Sequence, residues 1–270
     1  MASVKSRLFK DSSIIEALTE VYKNTSSQEN ATFALYLRFV NDICTVSIDT
    51  SGEHLHFRSN DKKNTEAPLR ETLAAWMLRH FIKNSTLPEL QNIALIDPMA
   101  GSGTIGLEAE RLLQPQFNRD YAFLKFAQKP KIFNTDLYQK NYLQFSQLFE
   151  KIYLGDKSDE ALKILKQNIK NNSHFFVYQD DVMKRSKPEL AKSSQAWVLT
   201  NPPYGVRIDV EWDWSDLIES LVAKYQPQRL GLLVPETAIA KLPKQLKSFR
   251  TREVIKTKNG GLVVAFVFYL

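Results

Sequence analysis

Short apolar runs alternate with segments of helical periodicity from residue 92 onward, and this alternation is the strongest constraint on the fold. The apolar runs lie at residues 93–96, 151–154, 175–179, 197–200 and 230–234, and helical patterns cover residues 103–113, 158–171 and 213–224. Strands that are separated by helices pair in parallel, because each helix returns the chain to the same edge of the sheet. The sequence therefore predicts an α/β fold with a largely parallel sheet.

The C-terminal segment departs from this pattern. Two further strand-like runs cover residues 253–257 and 262–269, and Asn259, Gly260 and Gly261 lie between them. Asn-Gly between two apolar runs is a strong signal for a tight β-hairpin. We therefore predict that the sheet ends in an antiparallel hairpin.

Composition excludes several classes of protein. With 270 residues, 43% of them hydrophobic, the chain can bury a sizeable core. No run approaches the ~20 apolar residues of a membrane span, and we expect no secretory signal. Cys44 is the single cysteine, which excludes an internal disulfide and favours a reducing cytoplasm. The four histidines lack metal-ligand spacing, so we predict no metal site.

Basic residues are concentrated in one segment of a chain whose formal net charge is +6. Glu253 is the one acidic residue in that segment. The cations are Lys241, Lys244, Lys247, Arg250, Arg252, Lys256 and Lys258. Such a cluster is as typical of a solvated surface as of a face that contacts phosphates.

A glycine-containing loop follows the first apolar run, and we call residues 97–104 the glycine loop. It consists of Asp97, Pro98, Met99, Ala100, Gly101, Ser102, Gly103 and Thr104. Glycines let the backbone approach a ligand, and the following helix directs its N–H groups at an anion such as a cofactor carboxylate. Gly101, Gly103 and Gly106 also match the spacing G-x-G-x-x-G, so nicotinamide binding is the competing interpretation.

Acidic residues follow the next two apolar runs. A nucleoside cofactor needs a carboxylate that accepts from both ribose hydroxyls, and Asp156 holds that position after residues 151–154. Asp180 and Asp181 follow residues 175–179, and both are candidates to accept from an adenine amino group. Asp180 is favoured because it directly follows the apolar run, whereas Asp181 is better placed as a helix cap.

The run at residues 197–200 ends in Asn201, Pro202, Pro203 and Tyr204, which we call the amine loop. Prolines end a strand, so the segment is a rigid loop, and taken alone it indicates a turn. The Asn201 oxygen and the Pro202 carbonyl are suited to accept both hydrogens of an exocyclic amine, while Tyr204 could stack on its base. The glycine loop upstream makes an enzyme that acts on amino groups the better interpretation.

Residues 49–58 (DTSGEHLHFR) and 67–75 (APLRETLAA), with both loops and the hairpin, resemble the THUMP-associated guanine-N2 RNA methyltransferases. The resemblance implies a Rossmann-like class I fold, the cofactor S-adenosyl-L-methionine, and methylation of guanosine N2 in structured RNA. The bacterial 23S ribosomal RNA branch is the most similar, followed by the tRNA branch. The resemblance also places Glu71, Thr72 and Asn201 near the cofactor, and Ala161 and Asn168 match a helix pattern of the family.

The same resemblance divides the chain. Residues 1–60, with strands at 32–37 and 43–48, are expected to be a small α+β appendage, the remnant of a truncated or absent THUMP module. Residues 61–270 are expected to form the methyltransferase domain. RNA is the expected partner, captured by the basic face or with a protein in place of the module. Adenine-N6 methylation of RNA or DNA stays an alternative, as does a catalytically lapsed RNA-binding module.

Overall fold

The chain divides into two compact units, Met1–Leu55 with Phe117–Thr135 and His56–Gln116 with Asp136–Leu270. The structure is a computed structural model that describes residues 3–4, 12, 16, 20, 35–51, 62–63, 69–112, 122–125, 148–170, 172–184, 195–204 and 213–270. The division of the chain near residue 60 stays a prediction, because residues 52–61 lie outside this part. No helix in the described part is long and apolar enough to cross a bilayer.

The smaller unit contains a three-stranded sheet in the order β1-β2-β3. Its elements are β1 (Ser3–Val4), β2 (Leu35–Val40), β3 (Ile43–Ile48) and a 3₁₀ turn (Ala122–Lys125). The second strand continues past the predicted end at residue 37, since Asn41 and Asp42 close a two-residue hairpin loop with φ of 49° and 60°. Asn and Asp tolerate this left-handed conformation better than most residues, so the turn forms without glycine.

The larger unit alternates helices and strands as predicted. Its elements are α1 (Glu71–Phe81), α2 (Leu87–Leu90), β4 (Ile93–Asp97), α3 (Thr104–Arg111), β5 (Lys151–Asp156), α4 (Asp159–Ile169), β6 (Phe175–Gln179), β7 (Gln195–Thr200), α5 (Trp214–Tyr225), β8 (Arg229–Pro235), a 3₁₀ turn (Glu236–Lys241), β9 (Arg252–Asn259) and β10 (Leu262–Tyr269). The short helix α2 and the 3₁₀ turn Glu236–Lys241 were not predicted from the sequence.

Seven strands form one sheet in the order β6-β5-β4-β7-β8-β10-β9. The pairs from β6 to β8 are parallel, whereas β10 pairs antiparallel with both β8 and β9. This confirms the Rossmann-like fold with an antiparallel hairpin at its C-terminal end. The strand order reverses between β4 and β7, and in open α/β sheets ligands bind at the carboxyl ends of the strands at such a reversal.

Alternate residues of β4 show how the sheet divides the core. Ile93 and Leu95 pack in one apolar cluster with α1, α3 and α4, whereas Ala94 and Ile96 pack in another with α5. Successive side chains of a strand point to opposite faces, so a strand covered on both sides must be apolar throughout. All five residues of β4 are buried, which agrees with its continuous apolar run.

The sheet depends on these doubly covered strands. Replacing Leu95, which is fully buried, by Ala is expected to lower the free energy of unfolding by about 2–5 kcal/mol, because the substitution leaves a cavity. The matched control is Leu262→Ala, since Leu262 lies in the same sheet but is 43% exposed. Urea unfolding of both variants would test this. Equal decreases in stability would contradict the assignment of Leu95 to the core.

Candidate active site

The glycine loop turns sharply where β4 ends. Gly101 and Gly103 have φ of 52° and 84°, a left-handed backbone that favours glycine. A Cβ on Gly103 would also lie 2.5 Å from a Leu165 methyl carbon. The Ala100 N–H donates to the Gly155 carbonyl at 2.8 Å, which fixes the loop on β5. The two glycines therefore allow the loop to turn, and Gly103 allows it to pack closely against α4.

The remaining loop residues are largely buried. Ser102 and Thr104 are 3% and 4% exposed, and their hydroxyl oxygens lie 3.4 Å apart. Pro98 is buried and Met99 is half-buried. Thr104 is the first residue of α3, so its hydroxyl lies beside the unpaired N–H groups that begin this helix.

Asp97 connects the glycine loop with the strand that leads into the amine loop. Its carboxylate oxygen Oδ1 accepts from the Thr200 hydroxyl at 2.7 Å and from the Met99 N–H at 3.3 Å. Thr200 is the last residue of β7 and immediately precedes the amine loop. Burial raises the pKa of Asp97 to about 7, although both hydrogen bonds oppose that shift. Asp97 thus holds the carboxyl ends of β4 and β7 together.

Asp156 is the last residue of β5. The sequence analysis had placed it after the strand, because the apolar run ends at residue 154. Its Oδ2 accepts from the Gly101 N–H and its Oδ1 from the Ser158 N–H, each at 2.9 Å. A carboxylate offers about four acceptor positions, so these two bonds leave capacity for further donors. The side chain is half-buried and borders the glycine loop, which fits a pair of ribose hydroxyls.

Asp180 and Asp181 lie past the end of β6 in different environments. Asp180 Oδ2 accepts from Lys224 Nζ at 2.7 Å and from the Tyr225 hydroxyl at 3.3 Å. Asp181 Oδ1 accepts from the Met183 N–H, a local turn like the cap expected from the sequence. The Asp180 carboxylate is thus held by a buried cation, which the sequence did not predict.

A cavity of about 580 Å³ opens between the ends of β5 and β6. Its lining residues are Lys157, Ser158, Gln179, Asp180, Asp181 and Lys184. This volume lies within the usual range for small-molecule sites, ~300–1,000 Å³. The two aspartates after β6 therefore border a space large enough for a nucleoside, and Asp156 lies next to it through its hydrogen bond with Ser158.

The amine loop contains an unusual polar atom. Asn201 Oδ1 is buried and has no hydrogen-bond partner within the described residues. Pro202 is buried, while Pro203 and Tyr204 are half-buried. The Tyr204 ring packs against the core, and its hydroxyl oxygen accepts from Asn259 Nδ2 at 3.4 Å. An unpaired buried carbonyl costs about 1–3 kcal/mol, and a hydrogen-bond donor that reached this oxygen would remove that cost.

Lys62 is a site residue that the sequence analysis missed. Its Nζ donates to Thr104 Oγ1 at 2.7 Å and to Glu71 Oε1 at 3.3 Å. Its side chain is 4% exposed, and burial lowers its pKa. The structure thus brings Glu71 to the start of α3, while Thr72 lies half-buried beside it on α1. Lys62 lies in a polar segment without periodicity, so no local pattern marks it.

Asn168 holds the far side of the glycine loop. Its Nδ2 donates to the carbonyls of Ser102 and Lys63, and its Oδ1 accepts from the Lys63 N–H, each at 2.9 Å. These side-chain hydrogen bonds all go to backbone atoms. Asn168 connects α4 with the glycine loop and with the segment that carries Lys62. The family helix pattern was the one sequence signal for this residue.

These contacts gather the predicted residues at one edge of the sheet. Hydrogen bonds link the glycine loop to Thr200 before the amine loop, to Asp156, and through Lys62 to Glu71. Within the described residues, no group of three or more His, Cys, Asp or Glu side chains could hold a metal ion. The arrangement combines the start of α3, the Asp156 carboxylate and the amide oxygen of Asn201, which is unpaired within the described residues.

Residues 58–262 match the family UPF0020, described as RMKL-like, methyltransferase domain. The chain belongs to this family. S-adenosyl-L-methionine is the cofactor of these methyltransferases. The nicotinamide interpretation of the glycine loop is therefore wrong.

Curated relatives carry a more specific name. The chain is 30% identical over 207 residues to a ribosomal RNA large subunit methyltransferase K/L of Alteromonas mediterranea, covering 72% of this chain and 28% of the relative. A protein of the same name from Shewanella sp. is 25% identical over 260 residues, covering 90% and 35%. The chain therefore spans about a third of the length of these curated relatives.

A solved structure shows the same fold. The crystal structure of a predicted N6-adenine-specific DNA methylase from Listeria monocytogenes superposes with a TM-score of 0.66 at 25% identity. The superposition covers 99% of this chain and 71% of the other. The class I methyltransferase fold expected from the sequence is thus confirmed.

The contacts of Lys62 predict an effect on cofactor affinity. Lys62→Met should weaken binding of S-adenosylhomocysteine by about tenfold, because Thr104 and Glu71 lose the partner that fixes them beside the glycine loop. Lys63→Met is the matched control, because Lys63 is exposed and binds Asn168 through its backbone N–H and carbonyl. Calorimetric titration measures both affinities. Equal affinities would exclude a role for the Lys62 ammonium.

The burial of Asp97 predicts a pH dependence of stability. Its folded pKa of about 7 exceeds the unfolded value of 3.8, so the neutral form is favoured in the folded protein. Its contribution to stability is therefore fully present below pH ~4 and is lost as the pH rises to ~7. In urea unfolding, the stability difference between wild type and Asp97→Asn should shift across that range in favour of the variant. A constant difference would contradict the raised pKa.

Proposed function

We propose that this protein is an S-adenosyl-L-methionine-dependent methyltransferase that acts on the N2 amine of guanosine in structured RNA, in particular 23S ribosomal RNA. The unpaired, buried Oδ1 of Asn201 carries this proposal. A buried acceptor without a donor is rare in folded proteins and indicates a functional role. The names of the curated relatives support ribosomal RNA as the substrate.

An exocyclic amine is a poor nucleophile because its lone pair is delocalised into the purine ring. Hydrogen bonds from both of its N–H groups to Asn201 Oδ1 and to the Pro202 carbonyl would favour a pyramidal nitrogen and free that pair. Such acceptors act strongly because they are fixed before the reaction begins. The Asp97–Thr200 bond supports this rigidity, since it fixes the residue directly before Asn201.

Tyr204 supplies a surface for the base. Its ring is half-buried against the core, and its hydroxyl lies 3.4 Å from Asn259 Nδ2 at the hairpin turn. An aromatic ring held at both ends can stack on a planar base with little further loss of entropy. The base must leave its helical stack to reach this loop, so the target is flipped out or already single-stranded.

The glycine loop and its neighbours fit the cofactor. Gly101 and Gly103 open the backbone, Asp156 retains acceptor capacity for ribose hydroxyls, and the adjacent cavity suits an adenine. Asp180 or Asp181 would accept from the adenine amino group, with Glu71 and Thr72 near the methionine end. When bound, S-adenosyl-L-methionine supplies an electrophilic methyl group. No strong general base is needed, because the amine proton becomes acidic once the nitrogen is methylated.

Two alternatives within the same chemistry have specific support. The Listeria monocytogenes structure is described as an N6-adenine-specific DNA methylase, and an amide oxygen with a backbone carbonyl accepts from either purine amine. tRNA is the next RNA substrate after ribosomal RNA. A catalytically lapsed RNA-binding module is the alternative of another class, and the unpaired Asn201 oxygen argues against it.

The organisation of the protein is proposed on the same basis. Residues 61–270 would form the catalytic domain and residues 1–60 the appendage. The cellular location of the protein would be the cytoplasm, where ribosomal RNA is found. Substrate capture would use basic residues of this chain or a protein partner.

Methyl transfer from tritiated cofactor to unmodified 23S ribosomal RNA, followed by mass identification of the nucleosides, would test the function. We expect N2-methylguanosine, and a kcat lowered by roughly 10²–10³-fold in Asn201→Ala, as when one preorganised polar group is removed. tRNA transcripts and duplex DNA serve as competing substrates. Asn92→Ala is the control, since Asn92 is exposed and its side chain donates to the Pro88 carbonyl, before β4 begins.

Other products would change the proposal in defined ways. N6-methyladenosine would replace the guanine assignment but keep the site. Cofactor binding without transfer to any of the nucleic acids would support the lapsed binding module.

A further inference from the structure

A second cavity lies at the base of the C-terminal hairpin, apart from the cofactor region. It has a volume of about 260 Å³, and we call it the hairpin-base cavity. Its polar lining consists of Lys244, Gln245, Arg250, Thr251, Arg252 and Tyr269. None of the residues assigned to methyl transfer or cofactor binding borders it.

The charged side chains among the described lining residues of this cavity are all positive. Three cationic side chains line it, and no carboxylate is among its lining residues. Glu253 is the nearest acidic residue in sequence, but strand alternation directs it to the opposite face from Arg252. Lys256 and Lys258 do not line the cavity, and Lys256 is paired with Glu236 at 2.6 Å. Within the described lining residues, the three cations therefore have no carboxylate side chain as a partner.

The backbone around the cavity is fixed. The N–H groups of Arg250 and Thr251 both donate to the Leu270 carbonyl, at 2.8 and 3.0 Å. The Tyr269 hydroxyl donates to the Pro243 carbonyl at 2.7 Å, which holds the segment that carries Lys244. A fixed frame reduces the entropy cost of binding a ligand. The cavity is thus a built feature and not a chance grouping of surface lysines.

Arg252, whose guanidinium also interacts with the Tyr269 side chain, contains a second buried side-chain atom without a hydrogen-bond partner in the described residues. Its Nη2 donates to the Ile239 carbonyl at 3.0 Å, whereas its Nε is buried and has no partner in the described part of the chain. A guanidinium N–H left unpaired inside a protein needs an explanation, such as an anion or an ordered water. Arginine pairs well with phosphate, because its planar donors match phosphate oxygens.

The hairpin connects this cavity with the amine loop. Asn259 at the turn contacts Tyr204, whereas Arg252 and Tyr269 pair at the other end of the same two strands. Each strand has eight residues, so the two ends lie about 24 Å apart at ~3.4 Å per residue. A group bound in the cavity would therefore lie several nucleotides away from a base held by the amine loop.

We propose that the hairpin-base cavity binds a backbone phosphate of the RNA that flanks the target nucleotide. This proposal rests on the proposed function for its choice of polyanion. Phosphate contacts position a protein on nucleic acid without reading sequence, so the cavity would set the orientation of a structured RNA. It would contribute to RNA capture from within the methyltransferase domain.

The double variant Lys244→Gln/Arg250→Gln tests this, because both side chains are exposed and their replacement leaves the half-buried Arg252 in place. Binding of an RNA hairpin with a single-stranded loop is measured by fluorescence anisotropy over a range of salt concentrations. We expect affinity to fall on the order of tenfold, and the slope of log K against log salt to become shallower by about one for each phosphate that the variant no longer binds. Affinity for S-adenosylhomocysteine should be unchanged.

The charge-matched control is Lys163→Gln/Lys166→Gln, since both lysines are exposed on α4. An equal decrease in the control, or no decrease in the test variant, would overturn the proposal. The proposal would also be overturned if the test variant kept its RNA affinity but no longer bound vesicles with anionic lipids, because the cavity would then bind lipid phosphate. A shallower salt slope in a protein that transfers no methyl group would keep the cavity assignment and reject the proposed function. Normal methylation with an unchanged slope of log K against log salt would keep the proposed function and reject the cavity assignment.

Discussion

The hydrogen bond from the Thr200 hydroxyl to Asp97 is the interaction on which the active site depends. It joins the carboxyl ends of β4 and β7, the two strands between which the sheet order reverses. The glycine loop begins at Asp97, and the amine loop begins directly after Thr200. Because both partners are fully or almost fully buried, the bond is shielded from water and fixes the separation of the two loops. The glycine loop and the amine loop therefore share one anchoring hydrogen bond.

The site accepts polar groups that a purely stable protein would avoid. The Asp97 carboxyl is buried strongly enough to raise its pKa to about 7, and Asn201 Oδ1 lacks a partner within the described residues. Each feature costs stability, since burial disfavours charges and unpaired acceptors. The continuous apolar strands on both sides offset this cost. Strain of this kind is expected where a protein must present fixed acceptors to a ligand.

The sequence predicted those site residues whose position follows from the ends of strands. Asp97, Asp156 and Asn201 each end or follow an apolar run, and parallel strands bring such ends to one edge of the sheet. It did not predict Lys62 or the role of Thr200, because their contacts span 42 and 103 residues and depend on packing. The loop at Asn41 and Asp42 was missed for another reason, since it adopts positive φ without the glycine that usually marks such turns. Local patterns thus located the loops, while side-chain contacts between them required the structure.

The position of β10 has a consequence for the order of assembly. β10 follows β8 and β9 in the chain but lies between them in the sheet, and its residues Phe266 and Phe268 are almost completely buried. During synthesis, β8 therefore emerges with an open apolar edge that β9 cannot close. Such an edge is prone to aggregation until its proper partner arrives. The edge of β8 therefore stays open until β10 has been synthesised and can pair with it.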